Sequence, residues 1–421
     1  MGHSPALEDS PPRIREQLDV MALRDQFPVL TREVHGKPLV YFDNASTVQR
    51  PLMVIEAMDD FYRRYNANVH RGVHQLSVEA SEAFEQSRED VRRFLNADSE
   101  REIVFTRGTT EAVNLVANAY LAPRINAGDE ILITHMEHHA NIVPWQLLCE
   151  RTGAELKVAP INDRGELCLD EMAALISERT RLIGVVHVSN ALGTVNPVAE
   201  ICAMAHKHDI PVLVDGAQAT PHEAVDVKAL GCDFYCLSGH KMYGPTGIGA
   251  LWGREALLED MSPWQGGGEM IQWVTFEKTT YNEIPHRFEA GTPNISGAIG
   301  MGAAIRWLEQ TGVDRIKAHE QSLLDLATQK MGQIPGLTII GQAANKGPVV
   351  SFTLEGAHPN DIGTIIDHHG VALRTGHHCA MPVMQFFGVP ATARVSFAAY
   401  NLHSEIDVFL NGLEQASQML A

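Results

Sequence analysis

Seven short segments constrain the fold more than any other feature of this chain: EIVFT, EILIT, ELKVAP, RLIGVVHVSN, PVLVDGAQ, CDFYCLSG and GIGALWG, all between residues 102 and 253. Most are apolar at consecutive rather than alternating positions, so both faces of each strand need cover. The amphipathic stretches between them, EAVNLVANAYL, VPWQLLCERTG and VAEICAMAHKHD, have the length and spacing of covering helices. An α/β domain follows. Beyond GTPNISGAIGMGAAIRWLEQTG the pattern changes to a long helix, then GPVVSFTLEG, DIGTIIDHHGVALRTG and ARVSFAAYN, with a closing helix from about Ser404. This second pattern predicts a smaller α+β domain. The expected organisation is a flexible tail over 1–12, a large domain over 38–300, and a small domain built from 13–37 and 301–421. RIREQLDVMALRDQFP is read as a helix ending before Pro28.

Length and composition narrow the function. A chain of 421 residues, 45% hydrophobic, buries a sizeable core and accommodates two domains around one site. Lys and Arg number 33 against 52 Asp and Glu, and 33 − 52 = −19 disfavours nonspecific binding to nucleic acid or to an anionic membrane. An anionic ligand must therefore be met by a local site. The start MGHSPALEDSPPR carries no apolar leader, and no later stretch approaches 18 uninterrupted apolar residues, so a cytoplasmic location is expected. Cys149, Cys168, Cys202, Cys232, Cys236 and Cys379 are scattered without a C-x-x-C spacing, which reads as reduced thiols rather than a metal site.

In an α/β sheet, ligands bind beyond the carboxyl ends of the strands, and the polar residues that interrupt these apolar runs stand at such ends. Asp215 closes PVLVD, and Lys241 follows in the glycine-punctuated loop LSGHKMYGPTGIG. A lysine able to form a Schiff base and a carboxylate able to hold a protonated pyridine nitrogen are the two protein groups that pyridoxal 5'-phosphate most needs. The bland readings are a surface lysine and a helix-capping aspartate. TRGTTEAVNLV, with Thr109 and Thr110, is either a phosphate-binding helix start or a plain N-cap. Ser238 and His240 flank Lys241 as further phosphate donors, and Asn190 and Gln218 occupy strand ends of their own. His138 in MEHHANIVPW either lies against a flat ring and moves a proton, or is a capping histidine. The cluster EHH, with His70, His74, His377 and His378, raises a metal reading. Only HRGVH approaches a familiar metal spacing, and no metal is assigned.

VDGAQ, SGHKMYGPTGIG, RFEAGTPN and RTGHHCAMP occur in this order, and together they resemble the group II cysteine desulfurases, the SufS branch above all. The resemblance runs from about Phe27 to the C-terminus. It implies the PLP-dependent transferase fold type I, with a mixed, mostly parallel sheet in the large domain. It also implies a homodimer that converts L-cysteine to L-alanine, accepts L-selenocysteine as a second substrate, and passes sulfur to a SufE-like or SufU-like protein for iron–sulfur cluster assembly. By motif, Lys241 would be the Schiff-base lysine, Asp215 the pyridinium partner, His138 the ring-stacking histidine and Gln218 the partner of the phenolic oxygen. Thr109, Thr110, Ser238 and His240 would hold phosphate, and Thr292 would reach the phosphate of the neighbouring subunit. Asn190 and Arg394 would bind the substrate carboxylate, with Arg374, His70 and Arg71 lining the pocket. FDNASTVQRP departs from the pattern near Asn44 and Ala45, at the substrate entrance, where it would alter pocket polarity.

Cys379 separates the reactions open to such a site. Gly376 precedes it and Pro382 follows, at an expected helix start, so the thiol would sit near a helix N-terminus beside His377 and His378. An inert buried cysteine is the alternative. With a nucleophilic Cys379 the resemblance implies a persulfide. Without one, a selenocysteine lyase, a class V aminotransferase or a silent scaffold of a sulfur-transfer complex would fit the same Lys241 and Asp215.

Overall fold

The computed structural model describes residues 18–420. All seven expected strands form, and they make one sheet: β1 (Ile103–Thr106), β2 (Glu130–Thr134), β3 (Glu155–Ala159), β4 (Thr180–Val186), β5 (Val212–Asp215), β6 (Phe234–Ser238) and β7 (Gly249–Gly253). The spatial order is β1-β7-β6-β5-β4-β2-β3. Only β7 runs against its neighbours, pairing antiparallel with β1 and β6. The other pairings are parallel. Every residue of β1, β2, β5, β6 and β7 is buried, as two-faced apolar strands require. ELKVAP is the exception: as edge strand β3 it leaves Glu155 and Val158 exposed.

Register places the chemistry. Val186, Asp215 and Cys236 are aligned across β4, β5 and β6, so the chain leaves all three strands at one edge of the sheet. Gly216, directly after Asp215, has no alternative residue: a Cβ there would fall 2.1 Å from the ring of Tyr235.

The second unit is a four-stranded antiparallel sheet, β8 (Leu337–Ile340), β9 (Val349–Leu354), β10 (Arg374–Gly376) and β11 (Thr392–Ser396), in the order β8-β9-β11-β10. Helices Val313–Met331, Pro359–Asp367 and His403–Leu420 pack with it around Phe352, Phe397 and Phe409. Strand β8 is absent from the sequence reading, because it is short and half-exposed and carries no two-faced apolar signal.

One expectation is corrected. Of RIREQLDVMALRDQFP, residues 13–17 lie outside the described residues, as does the tail over 1–12. The helix that forms is only Val20–Arg24, N-capped by Asp19, and a 3-10 turn over Pro28–Thr31 follows. This segment, expected with the small domain, packs where the two expected domains meet. Phe27 is fully buried there, with its ring 5.4 Å from Trp307, 4.7 Å from Tyr400 and 6.0 Å from Tyr243. The expected boundary at residue 300 falls inside helix Ile295–Thr311, which packs on helices Leu52–Asp60 and Gln75–Phe94.

Candidate active site

The carboxyl ends of β2, β4, β5 and β6 open on a cavity of about 550 Å³. Asp215 is the last residue of β5, and Lys241 ends the single 3-10 turn that follows β6. Both face the cavity. Burial pushes the Lys241 ammonium down to about 8; the Asp215 carboxylate works against that shift, and the Arg394 charge adds to it. Burial raises the Asp215 carboxyl, opposed by the hydrogen bond its Oδ1 accepts from Ala217 N at 3.0 Å and by Lys241.

One wall is built from hydroxyls and backbone. Gly108 turns the chain into helix Thr109–Leu115 at φ +143°, and a Cβ on it would come 3.2 Å from Ser238 Oγ. Ser238 Oγ accepts from Thr109 N at 2.9 Å and lies 3.0 Å from Thr109 Oγ1. Thr110 and His240 complete this wall. Burial holds the His240 imidazole down at about 4, with the Lys241 charge adding to the effect.

His138 lies on the adjacent wall, four residues beyond the end of β2. Its Nδ1 accepts from Ala140 N at 3.0 Å, which makes it the unprotonated nitrogen and leaves the proton on Nε2. Burial, reinforced by Lys241, pushes this imidazole down to about 3, so the ring is neutral. Glu137, beside it, escaped the sequence reading. Fully buried, its Oε1 accepts from Val186 N at 2.9 Å and contacts Thr134 Oγ1 at 2.5 Å, while Oε2 accepts from Asn141 Nδ2 at 2.7 Å. Asn141 Oδ1 in turn accepts from Trp145 Nε1 at 2.9 Å. Glu137 thus ties the His138 loop to β4 and to helix Val143–Thr152.

The small domain supplies the opposite side. Arg394, 2% exposed, extends from β11; its Nη1 donates to Asn190 O at 2.9 Å and its Nη2 to Ser46 Oγ at 2.9 Å, and its Nε is buried without a partner. Ser46 Oγ donates to Asp43 Oδ1 at 2.6 Å and also accepts from Arg374 Nε at 3.0 Å. Arg374 Nη2 stands 3.0 Å from Asp43 Oδ2. Asp43 and Ser46 therefore bracket both arginines, a role the sequence reading did not assign. Asn190 Nδ2 donates to His378 O at 2.5 Å, and its Oδ1 is buried and unpaired. Gln218 lines the floor and donates through Nε2 to Ala45 O at 2.6 Å.

Cys379 is exposed at the lip of this cavity. Its loop is pinned from the large domain: His139 N donates to Cys379 O at 2.7 Å, and His139 Nε2 accepts from Met381 N at 3.1 Å. His378 and Cys379 both take left-handed φ near 54°. Pro382 sits in the first turn of a short helix, Met381–Phe386. His378, although beside the thiol, supplies it no charge: its Nε2 is 2.7 Å from Thr392 Oγ1, and burial pushes its imidazole down to about 3. The charges that face Cys379 are those of Lys241 and Arg394, whose protons a thiolate at Cys379 would hold in place.

Three candidates stand apart from this cavity. Thr292 lines a separate depression with Thr106, Glu111, Gly247 and Trp264. His70 lies between Glu85 and Glu269, and Arg71 pairs with Glu269 at 3.3 Å. Asn44 does not change the cavity's polarity, because its side chain turns inward: Nδ2 donates to Ser396 O at 2.6 Å and to Asn401 Oδ1 at 3.0 Å.

The surviving set fits pyridoxal 5'-phosphate. A lysine whose ammonium is brought down to about 8 stands against a buried acid, hydroxyls and a glycine turn form one wall, and a flat neutral imidazole faces the space between. The unpaired Asn190 Oδ1 and Arg394 Nε mark groups that await a ligand.

Residues 40–409 match the aminotransferase class-V family. The chain is 52% identical over 402 residues to cysteine desulfurases of Salmonella typhimurium and Salmonella typhi, covering 95% of this chain and 99% of each relative. Its fold is similar to that of the cysteine desulfurase CsdA of Escherichia coli in an S-sulfonic acid form, with a TM-score of 0.90 at 38% identity over 96% of this chain and 99% of that one. The apo cysteine desulfurase of Thermococcus onnurineus NA1 superposes with a TM-score of 0.89 at 40% identity, covering 94% and 99% of the two chains. With its sheet order, its lysine and aspartate at adjacent strand ends and this span of identity, the chain belongs to the class-V aminotransferase family, of the pyridoxal-phosphate fold type I.

Proposed function

We propose that this protein is a cysteine desulfurase that converts L-cysteine to L-alanine and carries the released sulfur as a persulfide on Cys379. One observation carries the reading: an exposed thiol at the lip of the same cavity whose floor holds the Lys241 and Asp215 pair. A transaminating site has no need of that thiol, nor does a scaffold need the buried pair.

Lys241, Asp215, Thr109, Thr110, Ser238 and His240 would hold pyridoxal 5'-phosphate, the lysine by its amine, the aspartate at the ring nitrogen and the others at the phosphate, and the bound group would supply an electron sink for a carbanion at the substrate Cα. Arg394 offers its free Nε–H to the substrate carboxylate, held rigid by Asn190 O and Ser46 Oγ. Lys241 Nζ, whose ammonium burial brings down to about 8 so that the amine lies within about one pH unit of neutrality, takes the Cα proton. His138, neutral and carrying its proton on Nε2, would cover one face of the cofactor ring and exclude water from it. The Cys379 Sγ thiolate attacks the substrate sulfur: the S–S bond forms, the Cβ–S bond breaks, and the electron pair left on Cβ takes a proton. The sum is enzyme thiol plus cysteine giving enzyme persulfide plus alanine, with no external oxidant.

The finer reading is a group II, SufS-like enzyme that works as a homodimer in the cytoplasm, uses L-selenocysteine as an alternative substrate, and hands sulfur to a SufE-like or SufU-like acceptor for iron–sulfur assembly. The exposed position of Cys379 suits an acceptor protein, and Thr292, His70 and Arg71, outside this chain's cavity, suit service to a partner's. All six cysteines are free, in keeping with a reducing compartment. The test is mass spectrometry after exposure of the holoenzyme to cysteine. Wild type should carry one extra sulfur on Cys379, and Cys379→Ser should keep the visible cofactor band yet form neither persulfide nor alanine. Alanine released by Cys379→Ser at the wild-type rate refutes the nucleophile.

A further inference from the structure

Resting on the persulfide role proposed for Cys379, we infer that His139 is a positioning residue for that nucleophile, its main chain and its ring together clamping the segment that carries the thiol. His139 N donates to Cys379 O at 2.7 Å, and His139 Nε2 accepts from Met381 N at 3.1 Å. One residue thus bonds to the chain at Cys379 itself and again two residues beyond it. Accepting at Nε2 places the ring proton on Nδ1. Burial, reinforced by the His377 charge, lowers this imidazole, which keeps Nε2 an acceptor.

The loop needs such a clamp. His378 and Cys379 both stand at φ +54°, a left-handed conformation that residues other than glycine keep only where their surroundings impose it. At the start of the short helix Met381–Phe386, the N-cap Ala380 offers no side-chain acceptor, and Pro382 has no N–H to give. His139 Nε2 takes the place of the missing cap at Met381 N–H. The turn that presents His139 is held independently of the imidazole, since Glu137 and Asn141 tie it to Val186 N and to Trp145 Nε1. His135, before that turn, adds a further anchor, its Nε2 donating to Pro382 O at 3.2 Å. Asn190 Nδ2 holds the neighbouring carbonyl, His378 O, but Asn190 also lines the cavity beside Arg394, so its replacement would mix loop and substrate effects. The His139 ring makes its hydrogen bond to the loop, and its replacement reads the loop directly. Met381 is exposed, so water satisfies its N–H when the imidazole is removed, and the fold survives while the loop loses one anchor. In-line attack on the substrate sulfur is sensitive to that loss, because a displacement of about 1 Å at a reacting atom costs about a hundredfold in rate.

The test compares the holoenzymes of wild type, of His139→Phe, which keeps a flat ring without the acceptor, and of His139→Gln, whose Oε1 can accept from Met381 N. Titration of the visible cofactor band reads cysteine binding, and mass spectrometry of Cys379 in a single turnover reads persulfide formation. In His139→Phe the band should be retained and cysteine affinity should stay within about twofold of wild type, while persulfide forms more slowly by about tenfold to a hundredfold. His139→Gln should recover most of that rate. If His139→Phe does not fold, His139→Ala is read in its place. A wild-type rate in the variant lacking the acceptor, a glutamine variant no faster than it, or a loss of cysteine affinity as large as the loss of rate overturns the positioning role and leaves the persulfide on Cys379 standing. Absence of persulfide from Cys379 in wild type overturns the proposed function, and the role of His139 with it.

Discussion

Replacing Glu137 with glutamine should destabilise the protein in a way that depends on pH. Burial pushes this carboxyl from 4.5 up to about 8, against the hydrogen bonds from Thr134, Asn141 and Val186. At neutral pH the folded protein therefore carries mainly the acid. Its Oε1 accepts from Thr134 Oγ1 and from Val186 N, while Oε2 accepts from Asn141 Nδ2. Glutamine cannot copy this arrangement, because its nitrogen only donates. Placed at one site it meets Val186 N–H, and at the other Asn141 Nδ2, which cannot flip without presenting an NH₂ to Trp145 Nε1–H. Either orientation leaves a buried donor unsatisfied, at about 1–3 kcal/mol. The pH dependence comes from linkage. A carboxyl whose folded pKa is raised contributes stability that is fully present below 4.5 and lost as pH rises through about 8, a change of about 5 kcal/mol. The variant has no such group, so its deficit against wild type should be largest near pH 5 and should shrink or reverse by pH 9. Urea unfolding of both proteins without cofactor, followed by circular dichroism at several pH values, measures the difference, in which all other titrations cancel. A deficit constant across that range, or no deficit at pH 5, refutes the protonated buried acid.

Other outcomes follow from single contacts. Lys241→Ala should abolish the visible cofactor absorbance, and a retained band would reassign the lysine. Arg394→Lys keeps a charge but cannot reach Asn190 O and Ser46 Oγ while offering a further donor, so kcat/KM for cysteine should fall about tenfold to a hundredfold, mainly through KM. An unchanged KM would remove Arg394 from carboxylate binding. Glu289→Gln should lower stability by about 3–5 kcal/mol, since it leaves Arg88, with a side chain 1% exposed, short of its bidentate partner. A wild-type thermal midpoint would show that Glu85 alone satisfies the guanidinium.

The residues legible in the sequence share one property: each interrupts an apolar run that must be a buried strand. Asp215 after PVLV and Ser238 after FYCL stand out because a polar group at such a place needs a reason, and the strand-end rule supplies one. Lys241 and His138 follow within a few residues of the same ends. Glu137 meets the same criterion, but its neighbour His138 offers the more familiar chemistry. Asp43 and Ser46 are a different case. Their function exists only where the chain near residue 44 meets β11 some 350 positions later, as in the bond from Arg394 Nη2 to Ser46 Oγ, and no local pattern encodes such a meeting. His378 illustrates the same limit in a single residue. Adjacency to Cys379 suggests that its charge would serve the thiol, but a left-handed backbone turns its ring onto Thr392 Oγ1 and burial removes the charge. The electrostatic partners of the thiol are instead Lys241 and Arg394, one from each domain. If the proposed nucleophile depends on both, substitutions at the seam where they meet, such as Ser46→Ala, should slow persulfide formation more than they weaken cofactor binding. Equal losses in the two measurements would mean that the seam supports the whole cavity rather than the thiol side of it.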